Sequence, residues 1–195
     1  MAKGRPREFD TEEALDKAII VFWRKGYRGT SLDDLTEAME INRPSLYAAF
    51  VDKERLFLSA IDRYRSKFLA PPTKKLINAS SLREGLPEFL KGMGAVILND
   101  ETPPGCMIAC LLSEECCDSA AIKGKLLDSI ALADSTFQPI FEKHKAELAP
   151  GIDPATAARL LTTALHGMAI RARAGGGKRD LVRISSGLVR ALLCG

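Results

Sequence analysis

The sequence predicts an all-α protein of about nine helices. Three observations support this. Apolar residues recur at helical spacing along nearly the whole chain. Neither an alternating apolar–polar run nor an Asn-Gly or Asp-Gly hairpin turn is present to build a sheet. The 46% hydrophobic content of the 195 residues is enough to bury a core. Net charge is only +3, so bulk charge is no argument for nucleic-acid binding, and the placement of the basic residues matters more. No segment reaches the roughly 20 apolar residues of a membrane span. The basic start lacks the apolar stretch of a signal peptide. These features, with five cysteines clustered mainly between Cys106 and Cys117, lead us to expect a cytoplasmic protein in a reducing compartment.

In chain order, Lys3, Arg5 and Arg7 form a basic arm, read equally well as a disordered tail or as an arm reaching phosphates or the minor groove. Thr11 caps a first helix ending near Lys25, with Ala14, Leu15, Ala18, Ile19, Phe22 and Trp23 inside and Gly26 as a left-handed C-cap. Thr30 to Phe50 then reads as two short helices at an angle. Ser31 and Asp34 form a capping-box pair, and Leu32, Leu35, Ala38 and Met39 make one apolar face. Glu40 and Ile41 form the turn. Asn42 caps the second helix, which has Pro44 in its first turn and Leu46 and Phe50 buried. Hydroxyls, Arg43 and unpaired backbone N–H groups crowd the amino end of that helix, an arrangement suited to phosphates and base edges in a major groove. A plain helical hairpin with a solvated polar face would show the same pattern.

The run from Thr11 to Leu58 resembles the TetR family of bacterial transcriptional regulators. The resemblance is carried by Phe22, Gly26-Tyr27, Thr30-Ser31, Asn42, Ser45-Leu46-Tyr47, Phe50 and Lys53-Glu54. It implies a helix-turn-helix head over residues 1–51. Residues 52–195 would be a linking helix plus a ligand-binding and dimerisation body. It assigns phosphate contacts to Tyr47, Lys53, Thr30 and Ser31, and places Arg43, Pro44, Ser45 and Ala48 toward bases or the adjoining backbone. Glu40 departs from the family pattern, which commonly has glycine at this left-handed position.

Asp52 caps the linking helix, expected to run to about Leu69 and to stop at Ala70-Pro-Pro-Thr. A further helix begins near Pro87, and Gly105 to Cys117 reads as another. Asp118-Ser119 opens a long helix with a kink at Pro139, where a cavity is expected. Asp153 with Pro154 starts the next, and Leu181 to Leu193 forms the last. The final two helices are apolar on more than one face. Leu160, Leu161, Ala164, Met168, Leu181, Ile184, Leu188 and Leu192 are therefore candidates for a homodimer interface, the four-helix bundle that the resemblance implies.

Candidate inducer contacts are Met93, Ile97, Met107, Cys110, Leu111, Phe137, Phe141, Leu165 and His166, each equally readable as core. Cys106, Cys110 and Cys117 fall on nearly one side of their helix, with three competing readings. They are buried small residues, a thiol or electrophile sensor centred on Cys106, or a soft metal site with His144 or His166. Two histidines and no paired Cys-x-x-Cys element weaken the last, so no metal or other cofactor is expected. A cysteine-dependent enzyme would need a histidine base near Cys106, and the sequence places none there. The expected partners are double-stranded operator DNA, a second copy of the chain, and a small-molecule inducer or thiol-reactive compound. No membrane is among them.

Overall fold

The computed structural model describes residues 9–194 and divides the chain into two compact units, with the boundary between Arg65 and Ser66. Nine helices of eight residues or more occur among the described residues. In the first unit these are α1 (Thr11–Gly29), α2 (Leu32–Met39), α3 (Arg43–Phe50) and α4 (Lys53–Tyr64). The second unit holds α5 (Ala70–Ile77), α6 (Leu82–Ile97), α7 (Ala120–Lys143), α8 (Pro154–Arg173) and α9 (Lys178–Leu192). Short helical turns lie at Arg65–Leu69 and Ile108–Leu112, both of π type, and at Ser113–Glu115 and Lys145–Glu147. No helix among the described residues is long and apolar enough to cross a membrane.

The first unit is built around aromatic packing between α1 and α4. Phe22 meets Phe57 edge-on with ring centroids 5.0 Å apart, Trp23 meets Tyr64 at 5.1 Å, and Tyr27 meets Phe57 at 5.1 Å. Phe22, Trp23, Phe57 and Tyr64 are all fully buried, and such rings contribute more to a core than any other side chains. Arg63 on α4 reaches back to α1, donating to both carboxylate oxygens of Asp16 at 2.7 and 3.0 Å and to Glu12 at 2.7 Å.

Several local expectations change. Asp10, rather than Thr11, caps α1, accepting from the N–H groups of Glu12 and Glu13. The helix does not stop at Gly26. That residue sits at φ 72 and ψ 173, outside the left-handed helical well, so the chain kinks and then adds a turn through Gly29. The Ala70-Pro-Pro segment starts α5 instead of ending its predecessor, because proline lacks only a donor that the first turn of a helix leaves unused. Ser81 caps α6 six residues before Pro87, which is exposed and gives up a single backbone bond inside the helix. Gly105–Cys117 is no regular helix but a π turn and one α turn. The final helix begins at Lys178. The caps at Ser31, Asn42, Asp52, Ser119 and Asp153 are as the sequence predicts.

The second unit closes on Glu147. Its carboxylate accepts from the backbone N–H groups of Leu82 and Arg83 at 3.1 and 3.0 Å, capping α6 from 65 residues away. It also lies 3.2 Å from His144 Nδ1. Its backbone carbonyl accepts from Cys194 N at 2.9 Å, and Ala149 N donates to Leu192 at the same distance. Burial alone would raise the pKa of this carboxyl, but the two amide donors and His144 outweigh it and hold the pKa below the ordinary carboxylate value. Glu147→Ala leaves the Leu82 and Arg83 N–H groups without their acceptor and should lower stability by about 2 kcal/mol, read as a lower urea midpoint. An unchanged midpoint would remove this capping role.

Candidate nucleic-acid interface

The turn between α2 and α3 is set by backbone chemistry. Ser31 and Asp34 complete a reciprocal capping box, Ser31 Oγ accepting from Asp34 N at 3.1 Å and Asp34 Oδ2 from Ser31 N at 2.9 Å. Lys25 Nζ donates to Asp34 at 2.6 Å and ties this cap to α1. Glu40 adopts the left-handed conformation expected of it, φ 56 and ψ 38, with its N–H directed back to Glu37 and Thr36. Its carboxylate accepts from Lys17 at 2.9 Å, so its charge is partly met by α1. Asn42 Oδ1 accepts from Ser45 N at 2.8 Å and opens α3. At the far end Val51 takes φ 71, which stops α3 after eight residues.

Of the sequence-predicted DNA contacts, this arrangement gathers Arg43, Pro44, Ser45, Tyr47 and Ala48 on α3. Arg43, Pro44 and Ala48 are exposed, and Tyr47 is 46% exposed, so the ring belongs to the surface and not to the core. Arg43 donates to Asp33 at 2.7 Å; engagement of a base or phosphate would trade that exposed pair. Ser31 is exposed. Lys53 stands at the start of α4 with its ammonium 4.5 Å above the Tyr27 ring. Thr30 departs from expectation: it is buried, and its hydroxyl donates to Gly26 O at 2.6 Å, so it braces the end of α1 instead of facing DNA. Lys3, Arg5 and Arg7 lie outside the described residues. The bracing pairs Lys25–Asp34 and Lys17–Glu40 were not foreseen, since nothing in sequence spacing brings residues of α1 beside the cap and turn of α2.

In the body, Met93, Ile97, Met107, Cys110, Leu111, Phe137, Phe141 and Leu165 are all buried core residues. A cleft of about 880 Å³ lies between α6 and α9, and neither these eight residues nor His166 line it. His166 is partly buried; desolvation lowers its basicity, opposed by the charge of Asp134. Among the dimer candidates, Leu161, Met168, Leu181 and Leu192 point into the body's own core, Ala164, Ile184 and Leu188 are half-buried, and Leu160 is exposed. Cys106 and Cys110 are buried, Cys116 is half-buried and Cys117 is exposed, so the three thiols expected on one side do not share it. No disulfide and no group able to hold a metal ion occurs among the described residues. Gly105, at φ 102, is pressed against the body: a Cβ there would stand 3.1 Å from both Ala169 O and Cys110 Sγ. The Gly-Cys step is thus a close approach to α8.

The Asp34 carboxyl is held at about 2, against an ordinary 3.8, by the Lys25 ammonium first and then by the two Ser31 contacts. A depressed carboxyl binds fewer protons folded than unfolded, so its contribution is complete above about pH 4 and fades as pH falls toward 2. Asp34→Asn should therefore flatten the loss of head stability over that window, followed by thermal melts at stepped pH.

Comparison with known proteins agrees with this geometry. The profile of the bacterial regulatory proteins, tetR family, matches residues 14–60, which span α1 to most of α4. The HTH-type transcriptional repressor ComR of Escherichia coli (strain K12) is 33% identical over 192 residues, covering 97% of this chain and 91% of ComR. A cysteine-substituted variant of the TetR family regulator CifR, solved with a 26-base-pair operator duplex, superposes with TM-score 0.84. It is 34% identical, covering 96% of this chain and 99% of CifR. The reduced form of Escherichia coli NemR, at 17% identity and TM-score 0.82 over 94% of this chain and 97% of NemR, shares the fold. With an exposed α3 held between two fixed turns and full-length relatives that are transcriptional regulators and not enzymes, this chain belongs to the TetR family of DNA-binding transcriptional regulators.

Proposed function

We propose that the protein is a homodimeric repressor that leaves a near-palindromic operator when a small molecule binds its body. The observation that carries the reading is the α3 surface: an eight-residue helix fixed at both ends, with Arg43, Pro44, Tyr47 and Ala48 exposed on a rigid aromatic base. The operator-bound CifR relative supports DNA as the partner, and the ComR relative supports repression. Residues 1–51 serve as the DNA-binding head and 52–195 as linking helix and body. Two copies would set their recognition helices about 34–36 Å apart in successive major grooves.

The dimer rests on the exposed apolar side chains of α8, Leu160 at 43% and Ile170 at 55%, with the half-buried Ala164, Ile184 and Leu188 beside them. An unpartnered apolar row of this kind is what an isologous four-helix interface covers. Release by oxidation at Cys106 is the competing reading. Burial of that thiol argues against ready attack, and we expect Cys106→Ser to leave induction intact.

Titration against the DNA upstream of its own gene tests the reading. Tyr47→Phe should weaken binding by roughly three- to tenfold across all sequences, through one lost phosphate hydrogen bond. Lys53→Ala should do the same and reduce the salt slope by about 1. Binding unchanged in both variants would take the phosphate contacts away from these residues.

A further inference from the structure

We propose that the cleft between α6 and α9 is a binding site for an amphipathic anion, a carboxylate carried on an acyl or aryl body. Its residues form one stripe on each helix. On α6, Leu90, Gly94 and Ala95 recur at helical spacing with Leu98 just beyond its end; on α9, Leu181, Ser185, Ser186 and Val189 do the same. Small side chains occupy the middle of both stripes, and this keeps the helices from closing on one another there. The ends are apolar. Space of about 880 Å³ falls in the range of small-molecule sites, which runs to roughly 1,000 Å³.

The rim supplies the charge. Lys91, Lys178 and Arg190 stand on it against Asp100 alone. Lys91 has Glu88 at 3.6 Å, whereas Lys178 and Arg190 make no ion pair with any described residue. Lys178 is also the first residue of α9, whose N-cap Gly177 brings no capping side chain, so the first N–H groups of the helix add to the attraction for an anion, offset in part by Asp180 in the same turn. The rise along α9 from Lys178 to Arg190 is about 18 Å, long enough for an extended chain with its head at one end. A second copy of the chain is a poor occupant. A two-fold interface through this cleft would set a rim carrying three cations and one carboxylate against a copy of itself, a like-charge juxtaposition that disfavours association.

The idea that such a ligand is also the inducer rests on the repressor reading. Its binding does not, and it is measured on the full-length protein without DNA. Isothermal titration with sodium dodecanoate below its micellar concentration should show saturable binding at one site per chain. A Cβ at Gly94 meets nothing within 4 Å, so Gly94→Leu fills the cleft without disturbing the helix and should abolish the heat signal while leaving the circular-dichroism melt in place. Reversing Lys178 and Arg190 together to glutamate should weaken dodecanoate by about tenfold or more. The uncharged dodecanol should bind at least about tenfold more weakly than dodecanoate. Absence of saturable binding, equal binding of dodecanol, or persistence of the signal in Gly94→Leu would overturn the proposal. A change in sedimentation of Gly94→Leu from dimer to monomer would overturn it too, assigning the cleft to a copy-to-copy contact. Failure here with operator binding intact leaves the regulator standing, and loss of operator binding alone leaves the cleft standing.

Discussion

The aromatic contact between α1 and α4 is the constraint on which the DNA-facing surface depends. An eight-residue helix such as α3 has too few backbone bonds to be stable alone. It persists because Leu46 and Phe50 are buried in a unit whose rigidity comes from Phe22, Trp23, Phe57 and Tyr64. The polar ties, Arg63 to Asp16 and Lys25 to Asp34, act on that base by fixing orientation: each joins α1 to an element whose angle matters. Exposed ion pairs contribute little free energy, yet they define a register that apolar packing leaves loose.

Electrostatics at the head follow the same division between scaffold and surface. Negative charge at Asp34 and Glu40 is met by lysines of α1, and that at Asp33 by Arg43. Acidic residues so close to a nucleic-acid face would otherwise repel phosphate. The pairing of Glu40 with Lys17 gives one physical account of how a glutamate is tolerated where the turn demands a left-handed backbone.

Much of the fold was legible in the sequence because capping is local. Ser31, Asn42, Asp52, Ser119 and Asp153 each announce a helix start through a side chain that reaches its own backbone three residues on or fewer. Prolines misled, since Pro71 and Pro72 open a helix as readily as they end one. The α3 surface was legible, with Thr30 the exception: a hydroxyl in the right stretch of sequence is turned inward by the Gly26 carbonyl. In the body, periodicity identified which residues are apolar but not which of two apolar faces is core, and so Leu161, Met168, Leu181 and Leu192 were misplaced. The cleft was invisible for a related reason. It is made by Gly94, Ala95, Ser185 and Ser186, whose defining property is lack of bulk, and absent volume has no signature until two helices are set face to face.

The closure at Glu147 bears on how the chain is made. Everything the first unit needs is present once Arg65 has emerged from the ribosome, and its contacts span at most about fifty residues. The second unit is different: the Leu82 and Arg83 N–H groups of α6 wait for Glu147, and the backbone of Glu147 and Ala149 waits for Cys194 and Leu192. At roughly 5–20 residues per second, the body therefore spends several seconds of synthesis with only Ser81 capping α6, the Leu82 and Arg83 N–H groups without their acceptor, and apolar faces uncovered. During translation the DNA-reading first third of the chain is complete before the body can close.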